Sequence, residues 1–217
     1  MTLALDRVGF AYPGRDALFE NASLTIADGS FVLVRGASGA GKSTLLRLLC
    51  RLEEAQAGRI LLDGVPIDAM DPADLRRSVA YVQQMPILLP GTVRDNLLLP
   101  FSFKANNALI PPTDEALAAM LGGFLLDGVT PESRADTLSV GQAQRVCLIR
   151  SLLLGPGAVL MDEPTASLDA DSAGVVLAKA AELSRQGMTV IMVSHSPDTP
   201  AGITHVVRVT GRALEYA

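Results

Sequence analysis

Residues 36–44 read Gly-Ala-Ser-Gly-Ala-Gly-Lys-Ser-Thr. Gly36, Gly41, Lys42 and Ser43 stand at the spacing G-x-x-x-x-G-K-[ST], a loop built to hold phosphate. Gly36, Gly39 and Gly41 can take backbone angles closed to other residues, so successive N–H groups can turn inward around an anion. Lys42 brings an ammonium to the β- and γ-phosphates of a nucleoside triphosphate, and Ser43 offers a hydroxyl to Mg²⁺. Ala37, Ser38, Ala40 and Thr44 complete the binding stretch. The run before it, Phe31-Val32-Leu33-Val34, is apolar and β-branched; the run after it, Leu45-Leu46-Arg47-Leu48-Leu49, has helical character. The loop therefore joins a strand to a helix whose N-terminus points partial positive charge at the phosphates.

Outward from this loop, strand and helix patterns alternate. Residues 2–35 read as short strands with turns at Pro13-Gly14 and Asp28-Gly29. The helix after the loop is expected to run to about Leu52. Arg59 to Leu62 reads as a strand closed by Asp63-Gly64, Asp74 to Arg77 as a short helix, and Val79 to Val82 as a strand ending at Gln83-Gln84. Residues 85–137 change character: six prolines and short helical patches such as Asp114 to Leu121 predict an inserted helical lobe. A helix follows from Ser139 to about Leu154. Then come a buried strand (Ala158 to Met161), a helix (Ala170 to Arg185), a strand (Thr189 to Val193) and a last pair near Val206–Val209. Strands alternating with helices predict a mainly parallel sheet covered on both faces.

The chain has 217 residues, enough for one large domain with a substantial core, and 49% of them are apolar. No stretch approaches the ~20 apolar residues that span a bilayer. The N-terminus, Met-Thr-Leu-Ala-Leu-Asp-Arg, is charged early and lacks a signal-peptide core, which predicts a cytosolic protein serving any membrane from its surface. The net charge of −5 and the lack of a basic stripe argue against nucleic acid as a ligand. Cys50 and Cys147 lie in apolar helical runs and read as buried free thiols.

Two further clusters carry chemistry. The apolar strand Ala158-Val159-Leu160-Met161 delivers Asp162-Glu163 to its C-terminal end. Asp162 there would hold Mg²⁺, directly or through water, and Glu163 would polarise an attacking water as general base. Leu138-Ser139-Val140-Gly141-Gln142 precedes a helix; alone, Ser139 and Gln142 make the S-x-x-Q spacing of a capping box.

Taken together these motifs resemble the ATP-binding cassette (ABC) ATPases over nearly the whole chain. LSVGQ is similar to the family signature LSGGQ, with Val140 in place of its first glycine. The resemblance implies an α/β P-loop NTPase with a mainly parallel sheet flanked by helices, an N-terminal antiparallel β subdomain and an inserted helical lobe. It implies one ABC ATPase domain over 1–217, with 1–84 and 138–217 as catalytic core and 85–137 as the lobe. By the same resemblance Tyr12 stacks on adenine, Gln84 is the glutamine that touches Mg²⁺ and water, and Ala166-Ser167-Leu168-Asp169 is the loop facing a second cassette. His195 is the switch histidine at the γ-phosphate; His205 has no such place and reads as structural.

The implied mechanism pairs two copies head to tail around two ATP molecules. Ser139, Gly141, Gln142 and Asp169 would then act in trans on the partner's ATP, and the closed dimer would drive a transmembrane permease through the lobe. The chain would sit in the cytoplasm, peripheral on the inner face of the cell membrane. Gly91 to Leu97 resembles exporter-type cassettes. Leu98 to Phe101 and Cys147 to Leu152 are similar to small bacterial ATPases of iron efflux and metal tolerance. The chain ends soon after its last strands, which predicts that it lacks the C-terminal regulatory domain of many importers. The competing reading is a soluble ABC ATPase in DNA repair or translation. The interval between Lys42 and Asp162 holds no heptad run, and the chain has a single cassette, both of which weigh against it. A non-hydrolytic scaffold is disfavoured because Glu163 and His195 are both present.

Overall fold

Alternation along three buried strands organises the molecule. The computed structural model describes residues 1–196 and 198–217. In β3 (Phe31–Gly36), β7 (Ala158–Asp162) and β8 (Thr189–Val193), successive apolar side chains point to opposite faces, as the period of two requires. Val32, Val34, Leu160, Ile191 and Val193 enter one core; Phe31, Leu33, Val159, Met161, Val190 and Met192 enter a second. A strand buried on both faces needs layers above and below, which is why these runs are continuously apolar.

These strands belong to a six-stranded sheet ordered β10-β9-β3-β8-β7-β6, completed by β6 (Val79–Val82), β9 (His205–Thr210) and β10 (Ala213–Tyr216). All neighbours run parallel except the β9–β10 hairpin at one edge. The first core lies between this sheet, α1 (Lys42–Leu49) and a second, antiparallel sheet. That sheet is ordered β2-β1-β4-β5 from β1 (Leu3–Ala11), β2 (Ala17–Ile26), β4 (Ala57–Leu62) and β5 (Val65–Pro66). Leu45, Leu46, Leu48 and Leu49 of α1 are fully buried there. The second core is roofed by α5 (Val140–Leu152) and α6 (Ala170–Arg185).

Between β6 and α5 the chain builds no strand. It forms α3 (Val93–Leu98), α4 (Asp114–Gly123) and three short 3₁₀ turns, and Val93, Leu97, Leu117 and Leu121 join the second core. Thr92 caps α3 in a box with Asp95, so the Gly-Thr-Val-Arg-Asp stretch is a helix start. Arg94 ties the segment together, paired with both Asp114 and Glu132. The short helix near residue 74 is α2 (Pro72–Ser78), capped by Asp71.

Two helix ends differ from expectation. α1 stops at Leu49 instead of Leu52, because Cys50 leaves helical geometry and Arg51 takes a left-handed backbone (φ 54°). α5 stops at Leu152 instead of Leu154, just ahead of Gly155 (φ 63°) and Pro156. Both cysteines are buried free thiols; burial pushes the Cys50 thiol up to about 11.

Candidate functional site

At the C-terminal end of β3 the chain turns through Ala37 to Gly41 into α1. Gly41 occupies the N-cap at φ 98°, and a Cβ there would meet the Phe19 ring at 3.1 Å. Glycine is required twice over, by conformation and by space. It also cannot cap α1 with a side chain, so the first helical N–H groups remain for an anion. Lys42 is only 5% exposed, and its Nζ donates to the carbonyls of Gly36 (3.0 Å) and Ala37 (2.9 Å). These bonds hold the ammonium over the loop.

The adjacent strand end supplies the acids. Ser43 Oγ donates to Asp162 Oδ1 at 2.9 Å, and the Tyr81 hydroxyl donates to Asp162 Oδ2 at 3.0 Å. Asp162 is 5% exposed. Burial, then the Asp162 carboxylate, push the Tyr81 phenol up to about 12, farther from ionisation than an ordinary phenol. A hydroxyl and a carboxylate side by side are hard oxygen donors suited to Mg²⁺, which takes one or two protein oxygens and completes its shell with phosphate and water.

Glu163 follows with a left-handed backbone (φ 48°), an uncommon state for a residue with a side chain and one that concentrates at functional sites. That turn aims its carboxylate away from Asp162's partners. Glu163 Oε1 lies 2.9 Å from His195 Nε2, and Oε2 accepts from Gln84 Nε2 at 3.1 Å. Gln83, the neighbouring glutamine, instead offers its carbonyl to Gln144 Nε2 (3.2 Å).

An open cleft of about 330 Å³ gathers Tyr12, Ser38, Lys42, Ser43, Glu163 and His195, with Gly39, Gly41 and Thr44 on its wall. Tyr12 stands edge-on to Phe10, with ring centroids 5.0 Å apart, and its hydroxyl lies 3.3 Å from Thr44 Oγ1. Arg15, Asp16 and Leu18 also line the cleft and were missed in the sequence. They follow the Pro13-Gly14 turn, so their direction depends on how β1 and β2 close. His205 sits apart, on β9 beside Tyr216.

Gly36, Ala37, Ala40, Gln84 and Asp162 lie behind the residues that line the cleft, and the four residues expected to act in trans lie outside it. Ser139 and Gln142 form the capping box of α5: the Ser139 N–H donates to Gln142 Oε1 (2.9 Å) and the Gln142 N–H to Ser139 Oγ (3.2 Å). Asp169 caps α6 by accepting from the Ser172 N–H at 2.8 Å, which holds its carboxyl below the usual range. A Cβ on Gly141 would meet Ser172 Oγ at 2.8 Å, so α5 and α6 bring their N-termini together. Buried Arg145 ties this helix to the lobe, donating to the carbonyls of Gly141, Phe124 and Leu125. Ser139 and Val140 remain exposed beside these bonds.

A phosphate loop at the C-terminal ends of the strands of a mainly parallel sheet, with a Ser–Asp pair and a second acid held by His and Gln, defines a P-loop nucleotide-binding ATPase domain. The chain matches the "ABC transporter" family model over residues 19–166 and belongs to the ABC transporter family. It is 40% identical over 182 residues to Protein STAR1 of Oryza sativa subsp. japonica, covering 83% of this chain and 51% of that protein. Among solved structures it is similar to a dimeric ATP-binding cassette in a post-hydrolysis state bound to ADP and Pi. There the identity is 26%, the TM-score 0.84 and the coverage 98% of this chain and 96% of the other. It is also similar to a bacterial Atm1-family ABC exporter with ATP bound, with 26% identity, TM-score 0.86 and coverage of 99% and 38%. The chain spans 15% to 51% of the length of the curated relatives it matches most strongly. Among the described residues, no helix is long and apolar enough to cross a membrane.

Proposed function

We propose that this chain binds and hydrolyses ATP as the motor domain of an ABC transporter, working in export with a transmembrane permease. The observation that carries the reading is Glu163 held between His195 and Gln84, beside the Ser43–Asp162 pair at the mouth of the phosphate loop. Lys42 and the loop N–H groups bind the phosphates, and Tyr12 takes the adenine. Ser43, Asp162 and Gln84 would hold Mg²⁺, which when bound neutralises charge on the β- and γ-phosphates. Glu163 accepts the proton of the attacking water. His195 and Gln84 fix the two carboxylate oxygens so that a lone pair faces the water.

The exposed Ser139–Val140 start of α5, with Gly141 and Gln142, meets the γ-phosphate of a second copy, and Asp169 lies at the same interface. The dimeric state of the similar cassette supports this pairing. The exporter similarity and the lack of a heptad run favour transport over a soluble role in repair or translation.

The lobe over 85–137 faces the permease. An apolar groove of about 420 Å³, lined by Arg76, Arg77, Pro100, Phe103, Asn106 and Leu154, opens between it and the core. Phe103, on the wall of this groove, is more than half exposed, and so are Met85 and Ile87 at the start of the lobe, apolar surface available for a partner. The chain would thus sit on the cytoplasmic face of the membrane through its partner. The metal cargo expected from Leu98–Phe101 and Cys147–Leu152 is a property of that partner's pore.

Membrane fractionation of cells carrying the native transporter genes tests the docking. The chain is expected to sediment with membranes, and Phe103→Asp to shift most of it to the supernatant while its purified form still binds ATP. A wild-type chain found wholly in the supernatant would contradict the transporter reading.

A further inference from the structure

The metal-holding acid has a hydroxyl partner that none of the motifs includes. β6 is the edge strand of the large sheet, and its register against β7 pairs Tyr81 with Leu160, two residues before Asp162. From there the phenol crosses to Asp162 Oδ2 at 3.0 Å, while Ser43 occupies Oδ1 at 2.9 Å. The two carboxylate oxygens are therefore held from two different elements, the edge strand and the loop helix.

The direction of these bonds is fixed by chemistry. An ionised carboxylate only accepts and a guanidinium only donates, whereas a phenol does both. The Arg47 guanidinium, one helical turn beyond Ser43, lies beside the Tyr81 hydroxyl. The Tyr81 hydroxyl donates its O–H to Asp162, and the guanidinium beside it has no acceptor to compete for that proton. Asp162 is 5% exposed, so little water can take over if that donor is lost. Ser43 Oγ is itself one of the oxygens that would hold the cation, whereas the Tyr81 hydroxyl would serve Asp162 alone. The same strand end also sends Gln84 to Glu163, so β6 holds both neighbouring acids from one side.

We propose that Tyr81 is a positioning residue for the metal site: its hydroxyl fixes the carboxylate plane of Asp162 so that the ATP-loaded site binds a divalent cation tightly. The proposal rests on Asp162 as the metal-holding acid. Outer hydrogen bonds to ligating carboxylates orient them, and their loss costs ~10–100-fold in metal affinity.

The test uses Mn²⁺ as the probe in a Glu163→Gln background, which prevents turnover. Free Mn²⁺ is followed by electron paramagnetic resonance with protein in excess over ATP. ATP affinity without metal is measured in parallel, in EDTA. Tyr81→Phe keeps the ring and removes one oxygen. It is expected to weaken Mn²⁺ binding about 10-fold and leave metal-free ATP affinity within about twofold. Asp162→Asn is the reference for the underlying reading. If Asp162→Asn weakens Mn²⁺ binding and Tyr81→Phe does not, the role given to Tyr81 is overturned and Asp162 stands. If neither weakens it, the reading of Asp162 falls and takes the proposal with it. A Tyr81→Phe protein that loses metal-free ATP affinity equally has a general structural defect, which also overturns the proposal.

Discussion

Replacing Glu163 with glutamine is expected to slow ATP hydrolysis about 10²–10⁴-fold, about 3–5 kcal/mol of barrier, while nucleotide affinity stays within a few-fold. The substitution is nearly isosteric and leaves Lys42, Ser43 and Asp162 untouched, so the groups proposed to bind phosphate and cation persist. What disappears is the proposed proton acceptor. An amide also suits its neighbours less well: its NH₂ side cannot accept from Gln84 Nε2, where Glu163 Oε2 now does at 3.1 Å. His195, 2.9 Å from the other oxygen, loses its anionic partner. Phosphate release from purified protein at saturating Mg²⁺·ATP measures the effect. Hydrolysis at the wild-type rate would remove Glu163 from the role of base.

Lys42→Ala acts one step earlier, on binding. The Lys42 ammonium is pinned by two carbonyls of its own loop and is almost fully buried. Its place is therefore set before nucleotide arrives, and little side-chain entropy remains to be lost on binding. Hydrogen bonds to charged groups contribute about 1.5–3 kcal/mol, so ATP affinity is expected to fall about 10–100-fold. Titration with a fluorescent ATP analogue reads the change. The urea midpoint should show that the loop variant still folds. Affinity equal to wild type would contradict the phosphate-loop reading.

The parts of the molecule that were legible in the sequence share one physical property: they are set by local chemistry. GASGAGKST forces a strand–loop–helix, and an unbroken apolar run such as Ala158 to Met161 has to be buried on both faces. The α6 boundaries follow from Asp169 as cap and Arg185-Gln186-Gly187 at the close. The antiparallel sheet was legible as short strands, but its order β2-β1-β4-β5 depends on long-range pairing of β1 with β4. The end of α1 was misplaced because Leu52 continues the apolar pattern after the backbone has left the helix at Cys50.

The site shows the same division. Glu163, Gln84 and His195 stand far apart in sequence and meet only because β6, β7 and β8 run parallel and end together. Tyr81 drew no notice within the strand read over Val79 to Val82, since its bond to Asp162 depends on the register of two strands. Arg15 and Asp16 entered the cleft through the turn after β1, which no periodicity reports. The capping box of Ser139 and Gln142 could be read directly, whereas the proposed contact of its exposed face with a second copy would involve a surface beyond one chain.

If two copies meet in the proposed way, the phosphate loop is half of a site. Sedimentation velocity of the Glu163→Gln protein at saturating Mg²⁺·ATP tests it most directly. A species of about twice the 22.8 kDa monomer mass is expected, dispersed when ATP is withheld and absent when Ser139→Arg is added to the same chain. A monomer at saturating, demonstrably bound ATP would contradict it.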